Sequence, residues 1–239
     1  MKSRGMKSRG MKSPGDLIST PGYALAFRTL EPAATAPRRL LVLLHGVGGQ
    51  ELQLASLAAR VDDDTLVELP RAPRSIGDGM YGWFHVGFTS DGPQIVPEEA
   101  EDSRLQLIEF IGQLQRHHDI DPAHTVVAGF SQGGILSASV ALSAPQAVAG
   151  FGLLCGRILP ELEPALASRE ALATLDGLII HGRADNKLPV VWAERAGAWL
   201  QRLGVAHRLQ LHAAGHEFNP AMQADFLDWF GAARQRWNQ

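Results

Sequence analysis

Cysteine is almost absent from this sequence. Cys155 is the single cysteine in 239 residues, so no disulfide can form within the chain. It stands in the apolar run "FGLLCG", which predicts a buried thiol rather than a reactive one. A chain without an internal disulfide fits a reducing compartment.

Long apolar runs and an excess of one charge are also lacking. The apolar stretches fall well short of the ~20 residues that a membrane helix needs, so no membrane span is expected. The chain has 22 basic and 25 acidic residues, interspersed, and a net charge of -3. Nucleic acid is therefore not an expected partner. A hydrophobic fraction of 45% and a charged fraction of 20% are typical of a globular protein.

The beginning of the chain has no hydrophobic face. It reads "MKSRGMKSRGMKSPG", a short unit written three times. This pattern predicts a disordered leader, or alternative translation starts, over residues 1–15, followed by a single domain over residues 16–239. No apolar segment of the secretory type follows the basic unit, so the cytoplasm is the expected location.

Motifs for nucleotides and metals are weak or missing. The stretch "GDGMYG" at residues 77–82 matches G-x-G-x-x-G, but the pattern predicts neither a strand before it nor a helix after it. We interpret it as a flexible glycine-rich loop. His117 and His118 are adjacent on a predicted helix end and diverge, and no H-E-x-x-H is present, so no metal site is expected.

Short apolar runs alternate with helical patterns from Arg39 onward. Strands are predicted at residues 40–46, 65–70, 125–131, 148–156, 175–182 and 207–212. Helical periodicity is seen around residues 107–114, 192–203 and 222–237. Strands that are apolar on both faces predict an α/β protein with a mostly parallel central sheet and helices on both faces. Ligands then bind beyond the carboxyl ends of the strands.

The stretch "GFSQGG" at residues 129–134 contains the pattern G-x-S-x-G. Ser131 directly follows an apolar strand and directly precedes a helical stretch of small residues. This is the context of a nucleophile elbow, in which a sharp turn exposes the serine oxygen above the sheet. Ser131 is therefore predicted to be a nucleophile.

A serine nucleophile needs a base, and the base needs an acid that orients it. In this kind of fold the acid and then the histidine follow the serine along the chain. Asp185 lies beyond the carboxyl end of a strand, whereas Asp176 lies before that strand. His216 falls in a loop past the last strand, whereas His207 and His212 flank or lie within it. The predicted triad is Ser131, Asp185 and His216.

Two backbone N–H groups are expected to hold the oxyanion. One belongs to Gln132, the residue after the nucleophile, and the other to the loop "HGVGG" after the first predicted strand. Val47 is the predicted second donor, and Gly48 is the alternative.

Seven ordered motifs, "LHGVGG", "PRAP", "GWF", "DGP", "AGFSQGG", "HGRAD" and "AGHEF", resemble the phospholipase/carboxylesterase family of α/β hydrolases, which includes acyl-protein thioesterases. The resemblance covers about residues 40–229. It implies the α/β-hydrolase fold, an ester or thioester hydrolase with the triad and donors given above, and no cofactor. It also implies that Trp83 and Phe84 border an acyl pocket. His85 and Leu188 depart from the family pattern at two positions that bear on acyl preference.

The function expected is that of a serine carboxylesterase acting on short to medium acyl esters. No long lid is evident before Asp185, which favours small substrates. An acyl-protein thioesterase or lysophospholipase for long acyl chains is the first alternative, and a non-catalytic binding protein on a hydrolase fold is the second. The expected partner is a small-molecule ester or acyl thioester, and homodimer formation is left open.

Overall fold

The computed structural model describes residues 12–33, 36–89 and 92–237. Its centre is a sheet of eight strands in the order β1-β2-β4-β3-β9-β10-β11-β12. The last six in this order are mutually parallel, and β1 and β2 are antiparallel additions at one edge. The strands of this sheet are β1 Ser13–Pro14, β2 Phe27–Glu31, β3 Arg39–Leu44, β4 Thr65–Pro70, β9 Thr125–Phe130, β10 Gly150–Leu154, β11 Asp176–Gly182 and β12 Ala206–His212.

Six helices connect or follow these strands. They are α1 Ala55–Ala58, α2 Pro97–His118, α3 Gln132–Ser143, α4 Arg169–Leu172, α5 Val191–Leu203 and α6 Pro220–Trp237. Short 3-10 helices occur at Glu51–Leu54, Pro122–His124, Pro145–Ala147 and Pro160–Ala165. Within the described part of the chain, no helix combines the length and the apolar character that a membrane crossing requires.

The sheet buries both of its faces, as the apolar strands predict. In β3 every residue is buried, and alternate leucines contribute to different cores. Leu40 and Leu44 pack in a core with α2, α3 and α5, whereas Leu41 and Leu43 pack in a second core with α1 and α6. The predicted α/β class, with helices on both sides of a mostly parallel sheet, is confirmed.

Two β-hairpins lie between β4 and α2, where the sequence predicted a flexible loop and no strands. The first pairs β5 Arg74–Gly77 with β6 Met80–Gly82, and the second pairs β7 Val86–Thr89 with β8 Gly92–Ile95. The stretch "GDGMYG" therefore forms the turn of a hairpin, and Gly79 supplies its left-handed residue with φ of 65°. The interpretation of this stretch as a loop was wrong, because Met80–Gly82 forms a short strand that pairs with β5 and, through Tyr81, bridges to Gly49.

The end of the predicted leader is part of the sheet. Residues 1–11 lie outside the described residues, but Ser13 and Pro14 pair with β2, and the Gly15 N–H donates to Thr29 O at 2.9 Å. Lys12 Nζ donates to Val61 O at 2.8 Å and lies 3.0 Å from Asp63 Oδ1. Placing the leader's boundary after residue 15 was therefore wrong for its last four residues.

We expect a chain that begins at Asp16 to be less stable than one that begins at Lys12. Removing residues 12–15 deletes several backbone and side-chain hydrogen bonds, worth about 1–3 kcal/mol of unfolding free energy in total. Chemical denaturation of the two truncated proteins measures the difference. Lys12→Ala in the longer chain separates the lysine's share from that of the strand pairing. Equal midpoints for both truncations would contradict the role of this edge strand.

Candidate active site

Ser131 occupies the sharp turn between β9 and α3. Its φ of 54° and ψ of -115° place it outside the regions that a residue with a side chain normally adopts. Its N–H donates to Leu154 O at 2.7 Å, which ties the turn to the neighbouring strand β10. The turn thus has the strained backbone of a nucleophile elbow.

Glycine on each side of the serine is a steric requirement. A Cβ atom on Gly129 would lie 2.4 Å from the carbonyl carbon of Gly133. A Cβ atom on Gly133 would lie 2.3 Å from Leu44 O and 2.7 Å from His45 O. Since these neighbours are backbone atoms, no side-chain rotation relieves the clash. The helix α3 can therefore approach β3 only where a side chain is absent.

The three residues predicted from the sequence as a triad are connected by hydrogen bonds. His216 Nε2 lies 2.9 Å from Ser131 Oγ, and His216 Nδ1 lies 2.7 Å from Asp185 Oδ2. Asp185 is buried, and its Oδ1 accepts hydrogen bonds from the N–H groups of Lys187 at 2.9 Å and Leu188 at 2.8 Å. With Nδ1 donating to the carboxylate, Nε2 is the nitrogen that can accept the serine proton.

His181, at the end of β11, supports the acid and was missed from the sequence. The side chain is fully buried, and its Nε2 lies 2.7 Å from Leu188 O and 3.3 Å from Asp185 Oδ2. Burial is the main cause that lowers the pKa of His181, so the ring is held neutral in the fold. With Nε2 donating, it joins the strand to the loop that carries Asp185. Its position at a strand's carboxyl end was the available signal.

The N–H groups considered for the oxyanion hole differ in whether they already donate a hydrogen bond within the protein. The Gly48 N–H, which was the alternative donor, already donates to Tyr81 O at 2.9 Å, and the Gly46 N–H donates to Gln53 Oε1 at 2.7 Å. For the Val47 N–H, no acceptor is found among the described residues. The backbone N–H of Val47, and not that of Gly48, can therefore donate a hydrogen bond to a ligand.

The side chain of Gln132 has a role that the sequence did not suggest. Its Oε1 accepts from the Trp83 N–H at 2.7 Å, and its Nε2 donates to Phe84 O at 2.6 Å. These two bonds resemble the pairing of a β-strand and hold the segment against the start of α3. Gln132 therefore fixes the Trp-Phe pair with its side chain, while its backbone N–H is at the first position of the helix.

Trp83 does not border the pocket, in contrast to the expectation from the resemblance. Its side chain is 0% exposed, and its Nε1 donates to His45 O at 2.9 Å. Its carbonyl oxygen accepts from Arg74 Nη1 at 2.7 Å and from Ser103 Oγ. Phe84, the next residue, does line the pocket. The two residues thus differ in role, because Phe84 lines the pocket whereas the Trp83 ring packs against His45.

A cavity of about 270 Å³ opens beside Ser131 and His216. Its apolar walls come from the Phe84 segment, the β7–β8 hairpin, α3 and the loop after Asp185, through Phe84, Val86, Pro93, Ile95, Ile135 and Leu188. Two cationic residues, Arg157 and Lys187, also line it. The hairpin that forms one wall was not predicted from the sequence.

The histidines and the aspartate set aside in the sequence have other partners. His212 Nε2 lies 2.8 Å from Asp225 Oδ2, and Asp176 Oδ2 accepts from Trp229 Nε1 at 3.1 Å. His207 Nδ1 lies 2.9 Å from Val205 O. In the described ranges of the chain, no group of three or more His, Cys, Asp or Glu side chains has the arrangement of a metal site.

The chain is similar to a protein-family model, to a curated protein and to solved structures. A family model described as Phospholipase/Carboxylesterase matches residues 26–229. Acyl-protein thioesterase 1 of Emericella nidulans is 24% identical over 192 residues, which are 73% of this chain and 80% of that protein. The solved structure of esterase PE8 is 26% identical, with a TM-score of 0.75 over 86% of this chain and 97% of that one. A carboxylesterase from Mesorhizobium loti, 21% identical, shares the fold with a TM-score of 0.77 over 91% of this chain and 99% of its own.

The close approach at the elbow predicts a large effect of a single methyl group. Gly133→Ala is expected to lower the free energy of unfolding by about 3 kcal/mol or more, because the added Cβ meets backbone oxygens. Gly112→Ala in α2 is the matched control. There the Cβ meets only the end of the Arg116 side chain at 3.2 Å, and alanine is favoured in helices by about 1 kcal/mol. Denaturation curves that rank the two variants in the opposite order would refute this steric account.

Proposed function

The chain belongs to the phospholipase/carboxylesterase family of α/β hydrolases, and we propose that it is a serine carboxylesterase that hydrolyses short to medium acyl esters through an acyl-enzyme on Ser131. The observation that carries this proposal is the continuous hydrogen-bonded connection of Ser131, His216 and Asp185 at the wall of an apolar cavity. A non-catalytic binding protein would have no need of this connection.

In the proposed reaction, Ser131 Oγ attacks the ester carbonyl while His216 Nε2 takes its proton. Asp185 stabilises the imidazolium that forms and keeps the ring oriented. The N–H groups of Val47 and Gln132 receive the oxyanion, and each such donor is typically worth ~10²- to 10³-fold in rate. His216 then protonates the leaving oxygen or sulfur, and water repeats the sequence on the acyl-enzyme.

The size of the cavity supports the preference for shorter chains. Ligand pockets commonly measure ~300–1,000 Å³, and this cavity of about 270 Å³ lies just below that range. A thioesterase acting on long acyl chains is the second candidate. It is favoured by the similarity to acyl-protein thioesterase 1, because esters and thioesters pass through the same acyl-enzyme.

Substitutions in the triad should remove turnover without unfolding the protein. Ser131→Ala, Asp185→Asn and His216→Ala are each expected to lower kcat by ~10⁴-fold or more, because these groups act together on one chemical step. The pair His212 and Asp225 is hydrogen-bonded in the same way but has no serine, so His212→Gln is the matched control and should stay within about tenfold of the wild type. Hydrolysis of a nitrophenyl ester and labelling by a fluorophosphonate are measured for the three triad variants and for the control variant. A strong loss in His212→Gln together with normal turnover in His216→Ala would refute the assignment.

The acyl-chain preference should follow the wall at Phe84. Each methylene that enters the cavity is worth up to ~0.8 kcal/mol, about fourfold in kcat/KM, until the cavity is full. We therefore expect a maximum at short to medium chains, and Phe84→Ala should move it to longer ones. Trp199→Ala, at a half-buried aromatic residue of α5 outside this cavity, is the control. A steady rise to palmitoyl esters in the wild type would favour the long-chain thioesterase instead.

A further inference from the structure

Arg157 lies in the active-site cavity and takes no part in the proposed reaction. It follows the carboxyl end of β10 and lines the same cavity as Ser131 and His216. The residue is 6% exposed. A guanidinium group remains charged in proteins, so this is a positive charge, largely withdrawn from water, on a residue that lines the same cavity as Ser131.

The charge of Arg157 is unpaired, unlike that of the other buried arginines. Arg39 and Arg104 are similarly buried, and each contacts a carboxylate, Asp64 at 3.0 Å and Glu101 at 2.7 Å. For Arg157 the described residues provide neither a hydrogen bond nor a carboxylate within 4.0 Å. Its guanidinium carbon lies 5.0 Å from the centre of the Trp192 ring.

The environment of Arg157 penalises its charge. Burial lowers the pKa of its guanidinium below the ordinary value, and Glu161 opposes this only from a longer distance. In the described chain, the fully buried side-chain polar atoms that have no hydrogen-bond partner belong to Arg39, His181 and Gln210. The unpartnered nitrogens of Arg157 are not among them, so they retain some exposure. An unpaired buried charge is costly, and a ligand that supplies the opposite charge removes that cost.

The cavity as a whole is positive although the protein is negative. Arg157 and Lys187 line it, and no Asp or Glu is found among the described residues of its lining. The net charge of the chain is -3. The positive charge is therefore a local property of the site.

We propose that the substrate carries a carboxylate that pairs with Arg157 inside this cavity. A guanidinium offers two parallel N–H donors that match the two oxygens of a carboxylate, and its contact with the Trp192 ring restricts its position. The inference rests on the proposed esterase function and narrows its substrate class to anionic esters or thioesters. The carboxylate belongs either to the acyl part, as in a monoester of a dicarboxylic acid, or to the leaving group.

Pairs of matched substrates test the proposal. For the acyl part, para-nitrophenyl monoesters of succinic, glutaric and adipic acid are compared with neutral esters in which an isopropyl group replaces the carboxylate, after subtraction of spontaneous hydrolysis. For the leaving group, the acetate ester of para-hydroxybenzoate is compared with that of para-hydroxybenzamide. The measured quantity is the ratio of kcat/KM for the anionic and the neutral member, which does not depend on the fraction of enzyme that is folded.

We expect Arg157→Gln to lower this ratio by about ten- to a hundredfold for one of the two kinds of pair, and Arg157→Lys to lower it less. Arg195→Gln is the matched control. Arg195 stacks on the same Trp192 ring at 5.0 Å but is exposed and does not line the cavity, so its loss should leave the ratio unchanged. A ratio that changes by less than about threefold in Arg157→Gln for every pair would overturn the proposal.

A binding measurement separates this inference from the proposed function. Calorimetry of the wild-type protein with the monoanilide of glutaric acid, and with its neutral isopropyl analogue, requires no turnover. Tighter binding of the anionic anilide that is lost in Arg157→Gln supports the inference even if no ester is hydrolysed, in which case the esterase proposal alone fails. Equal binding of the two anilides rules out an acyl-side carboxylate at Arg157 whatever the turnover, and 4-acetamidobenzoate against 4-acetamidobenzamide gives the same test for a carboxylate in the leaving group.

Discussion

The contact between the backbones of α3 and β3 at Gly133 is the constraint on which the site depends. Because the helix starts within van der Waals reach of Leu44 O and His45 O, its first residues and the end of β3 form one rigid unit. That unit carries Ser131, the N–H of Gln132 and the loop that contains Val47. Ser131 and the proposed oxyanion donors at Val47 and Gln132 come from distant parts of the chain and are thus positioned by a single close approach, which also maintains the strain at Ser131.

Buried neutral histidines extend this rigid unit to the loops around it. His45 accepts the Ala72 N–H at its Nε2 and donates from Nδ1 to Gly46 O, which joins the oxyanion loop to the segment after β4. His181 joins β11 to Leu188 in the loop of Asp185 in the same way. Burial is the largest cause that lowers the pKa of both rings. Both rings connect neighbouring segments through hydrogen bonds. His216, in contrast, is partly exposed and contacts Ser131.

The sequence predicted the parts of the site that depend on local pattern. Most of the six parallel strands are largely apolar, although β12 is mixed. Ser131, Asp185 and His216 each follow the end of one of the six, so the rule that ligands bind beyond the carboxyl ends of the strands predicted that they meet. The side-chain directions of Trp83 and Phe84 could not be obtained in this way. They are set by the amide of Gln132, which is distant along the chain, and either residue of the pair could have faced the cavity. The hairpin wall was missed because each of its strands has only four residues and contains Gly or Pro, which are unfavourable in strands.

Selectivity among substrates must arise away from the triad. In the proposed mechanism, an ester and a thioester of the same acid give the same acyl-enzyme, and their oxyanions differ only in the leaving atom, so Ser131 and His216 have little basis for distinguishing between them. Discrimination requires groups that contact the rest of the substrate, and the groups proposed for this role are Phe84, the β7–β8 hairpin and Arg157, which line the cavity. An apolar wall changes kcat/KM by only a small factor for each methylene. A buried charge changes kcat/KM by a much larger factor between substrates with and without a counter-charge. The residues that decide the substrate are therefore those whose roles were least visible in the sequence.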